Sequence, residues 1–311
     1  MISLIIGVTG CAGSHLADYL LNKGYEVIGT KRTKSSISNI KHVVDKIEIV
    51  DIILHDRKSI FRVLEKYHPD QIYFLASAKH SDKIKIIYKN IEGTLLFFET
   101  LSGLSFHPRI VLISSSAVYG MQEDIHPVKE TAPLLPSTHY ALAKVFQEEI
   151  ARYYYRNHNM DIVIVRPFNH PGPRENPGLV CSDFAKQIIE IERGNRKPFI
   201  RVGNLENKRD FTDVRDIIKG YVLLAEKGKR GETYNLCSGR AYSIKMMLDK
   251  LISMSTSKIN VEVDPKKLRS GEVNVQIGDN SKIVYEIGWK PEIPINKTLE
   301  DILSYHRKEL I

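Results

Sequence analysis

Tyr140-Ala-Leu-Ala-Lys144 sets a phenol and an ammonium four residues apart, which on a helix puts them on one face, about 5–6 Å apart at Cβ. At ~6 Å and an effective dielectric near ~20, one cation favours the phenolate by roughly 3 kcal/mol. A tyrosine so placed becomes a usable acid or base near neutral pH. Ser114-Ser115-Ser116 directly follows the apolar run Arg109-Ile-Val-Leu-Ile113. Ser115 is the hydroxyl placed to donate to the same substrate oxygen, although three adjacent serines leave the final choice to geometry. The spacing alone is weak, because Tyr19 and Lys23 repeat it on an earlier helix. Tyr140 is singled out by its place, after a strand ending in serines and on a helix predicted over about 137–157. No constellation for a hydrolase or a metal site is present.

A second element with chemistry is Gly7-Val-Thr-Gly10-Cys11-Ala12-Gly13. Glycines at a strand-to-helix turn let the chain turn tightly, approach a pyrophosphate with its backbone, and pack the helix close to the strand. The phosphate then meets free N–H groups and the positive end of the helix dipole. The flanking strand and helix patterns supply the context such a motif needs. Dinucleotide binding follows. At the end of the second strand a carboxylate would select NAD, and a cation would pair with the 2′-phosphate of NADP. The chain has Thr30-Lys31-Arg32 there, so NADP(H) is favoured, with NAD(H) open. Asp51-Ile52 ends the third strand, where it can contact the adenine or be an ordinary loop.

The elements that must hold these residues alternate. Ile2–Val8, Glu26–Thr30, Ile47–Val50, Gln71–Leu75, Arg109–Ile113 and Asp161–Val165 read as strands. Helical patterns fall at 16–23, 58–67, 84–104 and 137–157. Strands this apolar are buried on both faces, which predicts an α/β fold with a doubly wound parallel Rossmann sheet. After Pro167 prolines and glycines cluster, and a smaller C-terminal α/β substrate lobe is expected. The predicted division is 1–166 plus about 208–238 for the dinucleotide-binding domain, with about 167–207 and 239–311 in the substrate lobe.

Composition bounds the remaining classes. The 311 residues are 42% apolar and 26% charged, an ordinary globular balance. Forty-five Lys and Arg against 37 Asp and Glu give +8, scattered in short clusters. That argues for anionic small molecules over nucleic acid. Three distant cysteines exclude a disulfide framework or a zinc site and fit a reducing compartment. No stretch approaches the ~18 apolar residues of a membrane span. A soluble, cytoplasmic protein with no membrane partner is expected.

The Gly-x-x-Gly-x-x-Gly spacing and the Ser115, Tyr140, Lys144 set resemble the short-chain dehydrogenase/reductase superfamily. From Arg166 onward the chain is similar to the extended members that act on nucleotide sugars. Arg166-Pro-Phe-Asn-His-Pro-Gly-Pro173, Asp183-Phe-Ala-Lys-Gln187, Arg201-Val-Gly-Asn-Leu205, Lys208-Arg-Asp-Phe-Thr-Asp-Val-Arg-Asp216 and Leu268-Arg-Ser-Gly-Glu-Val273 resemble the GDP-4-keto-6-deoxy-D-mannose reductases and their relatives, the GDP-mannose 4,6-dehydratases. The resemblance implies NAD(P)-dependent hydride transfer at C4 of a GDP-linked sugar. It also implies cofactor contacts at Leu75, Ala76, Ser77 and Pro167. Substrate contacts are implied at Ser116, Asn169, Lys186, Arg209, Arg269 and Glu272. Finally, it implies a homodimer or homotetramer in which the helices near 84–104 and 137–157 pair across subunits.

Three departures shape the reading. The dehydratases carry a proton-abstracting Glu two residues after the catalytic Ser or Thr, and this chain has Ala117, which argues against that reaction. The reductases often carry Glu there too. The segment from His80 to Asn90 is a few residues shorter than usual, and His139 replaces a proline before Tyr140. Reduction of a GDP-4-keto-6-deoxy-hexose is therefore the leading expectation. C4 dehydrogenation or epimerisation of a GDP-hexose or GDP-heptose is the alternative, and a non-catalytic NAD(P)-binding protein is a third.

Overall fold

The computed structural model describes residues 1–77, 82–120, 122, 127–268 and 274–309. In chain order the first half runs β1 (Ile2–Ile6), α1 (Cys11–Asn22), β2 (Glu26–Lys31), β3 (Glu48–Asp51), α2 (Arg57–Tyr67), β4 (Gln71–Phe74), α3 (Lys83–Ser102), β5 (Arg109–Ile113), α4 (His139–His158) and β6 (Asp161–Pro167). The second half runs α5 (Val180–Glu192), β7 (Phe199–Val202), β8 (Lys208–Asp210), α6 (Val214–Lys227), β9 (Thr233–Leu236), β10 (Ala241–Ser243), α7 (Ile244–Ser253), β11 (Asn260–Val263), β12 (Val275–Gln276), α8 (Ser281–Ile287) and α9 (Ile295–Glu309).

The central sheet has the order β3-β2-β1-β4-β5-β6-β9, and its neighbours pair in parallel. The strands serve two cores at once. Leu4 and Ile6 of β1, Ile110 and Leu112 of β5, and Ile162 and Ile164 of β6 pack with α2, α3 and α4. Ile5, Val111, Ile113, Val163 and Val165 face the other way, toward α1 and α6. Alternate side chains point to opposite faces, so only a strand apolar at every position satisfies both layers. The strand order reverses between β1 and β4, where such sheets open a crevice at their carboxyl ends.

A third apolar core gathers α5, α7 and α9 with β7, and a three-stranded sheet β10-β8-β12 joins it to the first lobe. β8 lies in this small sheet and not in the central one. Ile283, Ile287 and Trp289, assigned by sequence to the substrate lobe, pack in the first core, with the Trp289 indole donating to the Asp216 carbonyl at 2.9 Å. The local sequence shows that these residues are apolar; only chain reversal decides which core they fill.

β1 stops at Ile6, two residues before the predicted end, because Gly7 turns the chain at φ 101°. That conformation is open to glycine and costly for other residues. Gly13 is needed for a different reason. A Cβ built there would lie 2.3 Å from the Gly7 carbonyl oxygen and 2.9 Å from Val8 Cα. Both obstacles are backbone and cannot step aside. Gly13→Ala is expected to cost about 1–3 kcal/mol, as overpacking does. A thermal melt followed by circular dichroism should shift down by several degrees.

Candidate active site

Tyr140 and Lys144 both lie on α4, whose first turn is capped by Thr138 accepting from the Ala141 N–H at 3.1 Å. The strand β5 ends beside them, and the three serines go separate ways. Ser114 turns inward and its hydroxyl donates to Glu148 Oε1 at 2.5 Å. Ser115 Oγ accepts from the Ala117 N–H at 3.2 Å and shares a hydrogen bond with Tyr140. The backbone donor occupies one lone pair of Ser115 and leaves its own proton to give. Ser116 is buried, and its carbonyl accepts from Gln276 at 3.4 Å. Geometry thus selects Ser115 as the partner of the phenol.

Tyr140 is 40% exposed while Lys144 is 2% exposed. Burial drives the Lys144 ammonium down to about 8, against the opposing charge of Glu148. Its Nζ donates to the Ile113 carbonyl at 2.7 Å. Surrounding protein raises the Tyr140 phenol above its ordinary value, and the Ser115 hydrogen bond opposes that shift. The Lys144 ammonium thus donates to the end of β5, and the side-chain hydrogen bond that acts on the phenol comes from Ser115. A phenol held high stays protonated at neutral pH, as a proton donor must.

Beneath these groups lies a buried carboxylate that the sequence reading passed over. Glu148, one helical turn beyond Lys144, receives Arg166 Nε at 2.9 Å and Arg166 Nη2 at 2.6 Å. Arg152 adds a bond at 3.1 Å. Burial alone would raise this carboxyl, but the Arg166 bonds outweigh it and hold it below its ordinary value. Arg166 in turn donates to the Tyr119 hydroxyl at 3.0 Å, and Tyr119 donates to Asn235 at 2.6 Å. α4, β5, β6 and β9 are locked together by this one network. The available signal was the i, i+4 spacing of Lys144 and Glu148, which on a surface helix would mean only a solvated pair.

The glycine loop fits a dinucleotide pyrophosphate. α1 begins at Cys11 with Gly10 as its cap and no side chain bonded to its first N–H groups. Cys11 and Ala12 are half-buried in the first turn. The Cys11 thiol, raised to about 12 by burial, packs inward. The Leu75–Ala76 backbone passes within 4 Å of the Cβ position of Gly7, and Ser77 follows. At the far end, Lys31 is bound to Asp51 at 2.6 Å, which holds that carboxylate below its ordinary value. Arg32 is exposed beside this pair. Ile52 is buried, 4% exposed, with its side chain in the core and its backbone N–H donating to the Lys31 carbonyl at 2.9 Å.

Pro167 ends β6 and is buried. Asn169 is exposed, with its amide donating to the Asp210 carbonyl at 3.1 Å. His170 is anchored by Nδ1 to the Phe168 carbonyl at 2.8 Å. Lys186 on α5 is half-exposed, 3.8 Å from Glu190, and Arg209 on β8 donates to the Lys208 carbonyl at 2.9 Å. Arg269 and Glu272 lie outside the described residues. Among the described residues no cluster could hold a metal ion, and no helix is long and apolar enough to cross a membrane.

A family model described as GDP-mannose 4,6 dehydratase matches residues 4–302. The chain belongs to the GDP-mannose 4,6-dehydratase family. That makes it an extended short-chain dehydrogenase/reductase of nucleotide sugars. It is 28% identical over 306 residues to GDP-6-deoxy-D-mannose reductase of Pseudomonas aeruginosa, covering 96% of this chain and 95% of that one. It is 27% identical over 362 residues to GDP-mannose 4,6-dehydratase of Vibrio cholerae, covering 99% and 96%. The structure of RMD from Pseudomonas aeruginosa complexed with NADPH superposes with a TM-score of 0.86, at 26% identity and over 99% of each chain.

The depressed Lys144 predicts a pH effect. The ammonium is charged below about pH 8 and neutral above it. Turnover that depends on this charge should fall as pH rises through that value. A pH–rate profile should show the basic limb near pH 8, and Lys144→Arg, charged throughout, should remove the limb while lowering the rate.

Proposed function

We propose that the protein reduces the C4 ketone of a GDP-linked 4-keto-6-deoxy-hexose, using NADP(H). The observation that carries this reading is the Ser115, Tyr140, Lys144 arrangement; Ala117, where a dehydratase would need its carboxylate, argues against dehydration. Ala117 is the first residue whose N–H bonds back to Ser115, and its methyl group can take no proton.

When bound, the dinucleotide supplies the hydride that C4 accepts. The chain's residues manage the oxygen. Ser115 Oγ donates a hydrogen bond to the carbonyl oxygen and polarises it. As the carbon–oxygen π pair moves onto oxygen, Tyr140 Oη gives up its proton and the alcohol forms. Lys144 places positive charge close to the phenolate that remains. In this reading the glycine loop holds the pyrophosphate. Arg32 pairs with the 2′-phosphate, since Lys31 is already neutralised by Asp51. Asn169, Lys186 and Arg209 line the way to the sugar and its diphosphate, and Arg269 and Glu272 belong to the nucleoside end. α3 and α4 pair with their copies in a second subunit, where Tyr88, Leu95, Phe146 and Tyr153 stand exposed.

The test is loss of reduced-nicotinamide absorbance on mixing protein, NADPH and GDP-4-keto-6-deoxymannose. Tyr140→Phe should slow it by at least about a hundredfold. Arg32→Ala should raise KM for NADPH about tenfold and leave NADH unchanged, a size typical of a hydrogen bond to a charged group. No absorbance change with this sugar would overturn the assignment; oxidation of GDP-hexoses or GDP-heptoses would then be the reaction to assay.

A further inference from the structure

Arg174 takes no part in the machinery above, yet its side chain is held tightly against the first lobe. Its backbone lies in the left-handed region at φ 67°. For a long side chain such a conformation persists only where the surroundings over-determine it. The guanidinium is 12% exposed. Its Nη2 donates to His15 Nδ1 at 2.6 Å and to Asp18 Oδ2 at 2.7 Å, both on α1. Its Nη1 donates to the Asn39 carbonyl at 3.2 Å, in the 3-10 turn Ser38–Val43. Asn39 then donates through its own amide to the Thr9 carbonyl at 3.1 Å, inside the glycine loop.

The chemistry of these contacts fixes their polarity. The Pro173 carbonyl, 2.9 Å from His15 Nε2, can only accept, so Nε2 carries the proton. Nδ1 is left with its lone pair toward Arg174, which can only donate. Burial, and next the Arg174 charge, push the imidazole down to about 4 and keep it neutral. Asp18 also accepts from His42 at 2.7 Å. The Cys11 thiol sits under the same turn, 3.6 Å from the Pro173 carbonyl. The turn is held from its other side as well, by the Val214 N–H on the Pro171 carbonyl at 3.1 Å.

Arg174 therefore ties the loop 167–178, which carries Asn169, to the helix and turn that frame the glycine loop. We propose that Arg174 is a positioning residue that clasps this loop to α1 and thereby sets where Asn169 stands relative to the cofactor. Its bearing on a GDP-sugar rests on the function proposed above. A loop without its clasp must be ordered by the ligand, which lowers the apparent affinity by the fraction of time it is in place.

The experiment compares the unaltered chain with Arg174→Ala and the milder Arg174→Lys, each checked for folding by circular dichroism. Binding is titrated with GDP-mannose and, separately, with NADPH. Cys11 alkylation by iodoacetamide is followed by peptide mass spectrometry. In Arg174→Ala the GDP-mannose Kd should rise about tenfold, the NADPH Kd should move less than about twofold, and Cys11 should be alkylated at least about tenfold faster. Arg174→Lys, which keeps a charge for Asp18 but lacks the fork, should fall between. A folded Arg174→Ala protein with unchanged GDP-mannose affinity and unchanged Cys11 alkylation overturns the proposal. Equal weakening of both ligands in both variants, with a lowered melting temperature, also overturns it, since that is general loss of structure. If the unaltered chain binds no GDP-mannose, the GDP-sugar reading fails, and Cys11 alkylation alone decides the clasp.

Discussion

The buried pair of Glu148 and Arg166 organises the centre of the molecule. Both side chains are withdrawn from water, at 0% and 2% exposure, so each ion depends on the other and on the groups around it. Taking either partner away would strand a charge in the interior, a loss of about 3–5 kcal/mol in comparable cases. The two carboxylate oxygens hold β6 through Arg166, β5 through Ser114, and the outer turn of α4 through Arg152. These elements carry Pro167, Ser115 and the Tyr140–Lys144 pair. A reacting constellation drawn from three separate elements needs such a brace, because small misplacements of catalytic groups are costly.

The brace also explains the ionisation of the site. Lys144 is buried beside a carboxylate already shared by two arginines, so the carboxylate offsets only part of the burial penalty. The ammonium is left easily deprotonated and directed to the carbonyl that ends β5. The surrounding protein raises the Tyr140 phenol, which keeps its proton. The two groups four residues apart thus have different states from those that their spacing alone suggests.

The glycine loop is constrained from below as well as shaped for phosphate. Gly7 must take a positive φ, and Gly13 must lack a Cβ for α1 to approach β1. Around this rigid turn gather Asn39, Cys11, His15 and the Pro173–Arg174 turn, so that the loop after β6 rests on α1.

Much of this was legible from residue types and order. The doubly apolar strands specify a parallel sheet covered on both faces, since no other arrangement buries them. The glycine spacing specifies a tight strand-to-helix turn, and the four-residue spacing of Tyr140 and Lys144 specifies a shared helix face. These features are local, and local sterics or periodicity suffices to read them. Tertiary structure alone decided which of three serines meets the phenol, that Ile52 is core, that Lys31 is spent on Asp51, and that Trp289 fills the first core. It also decided that Glu148 is buried between Arg152 and Arg166, and that Arg174 reaches His15 and Asp18 on α1. Each of these depends on what a residue distant in the chain places opposite it, and burial reverses the meaning of a charge that the sequence shows only as polar.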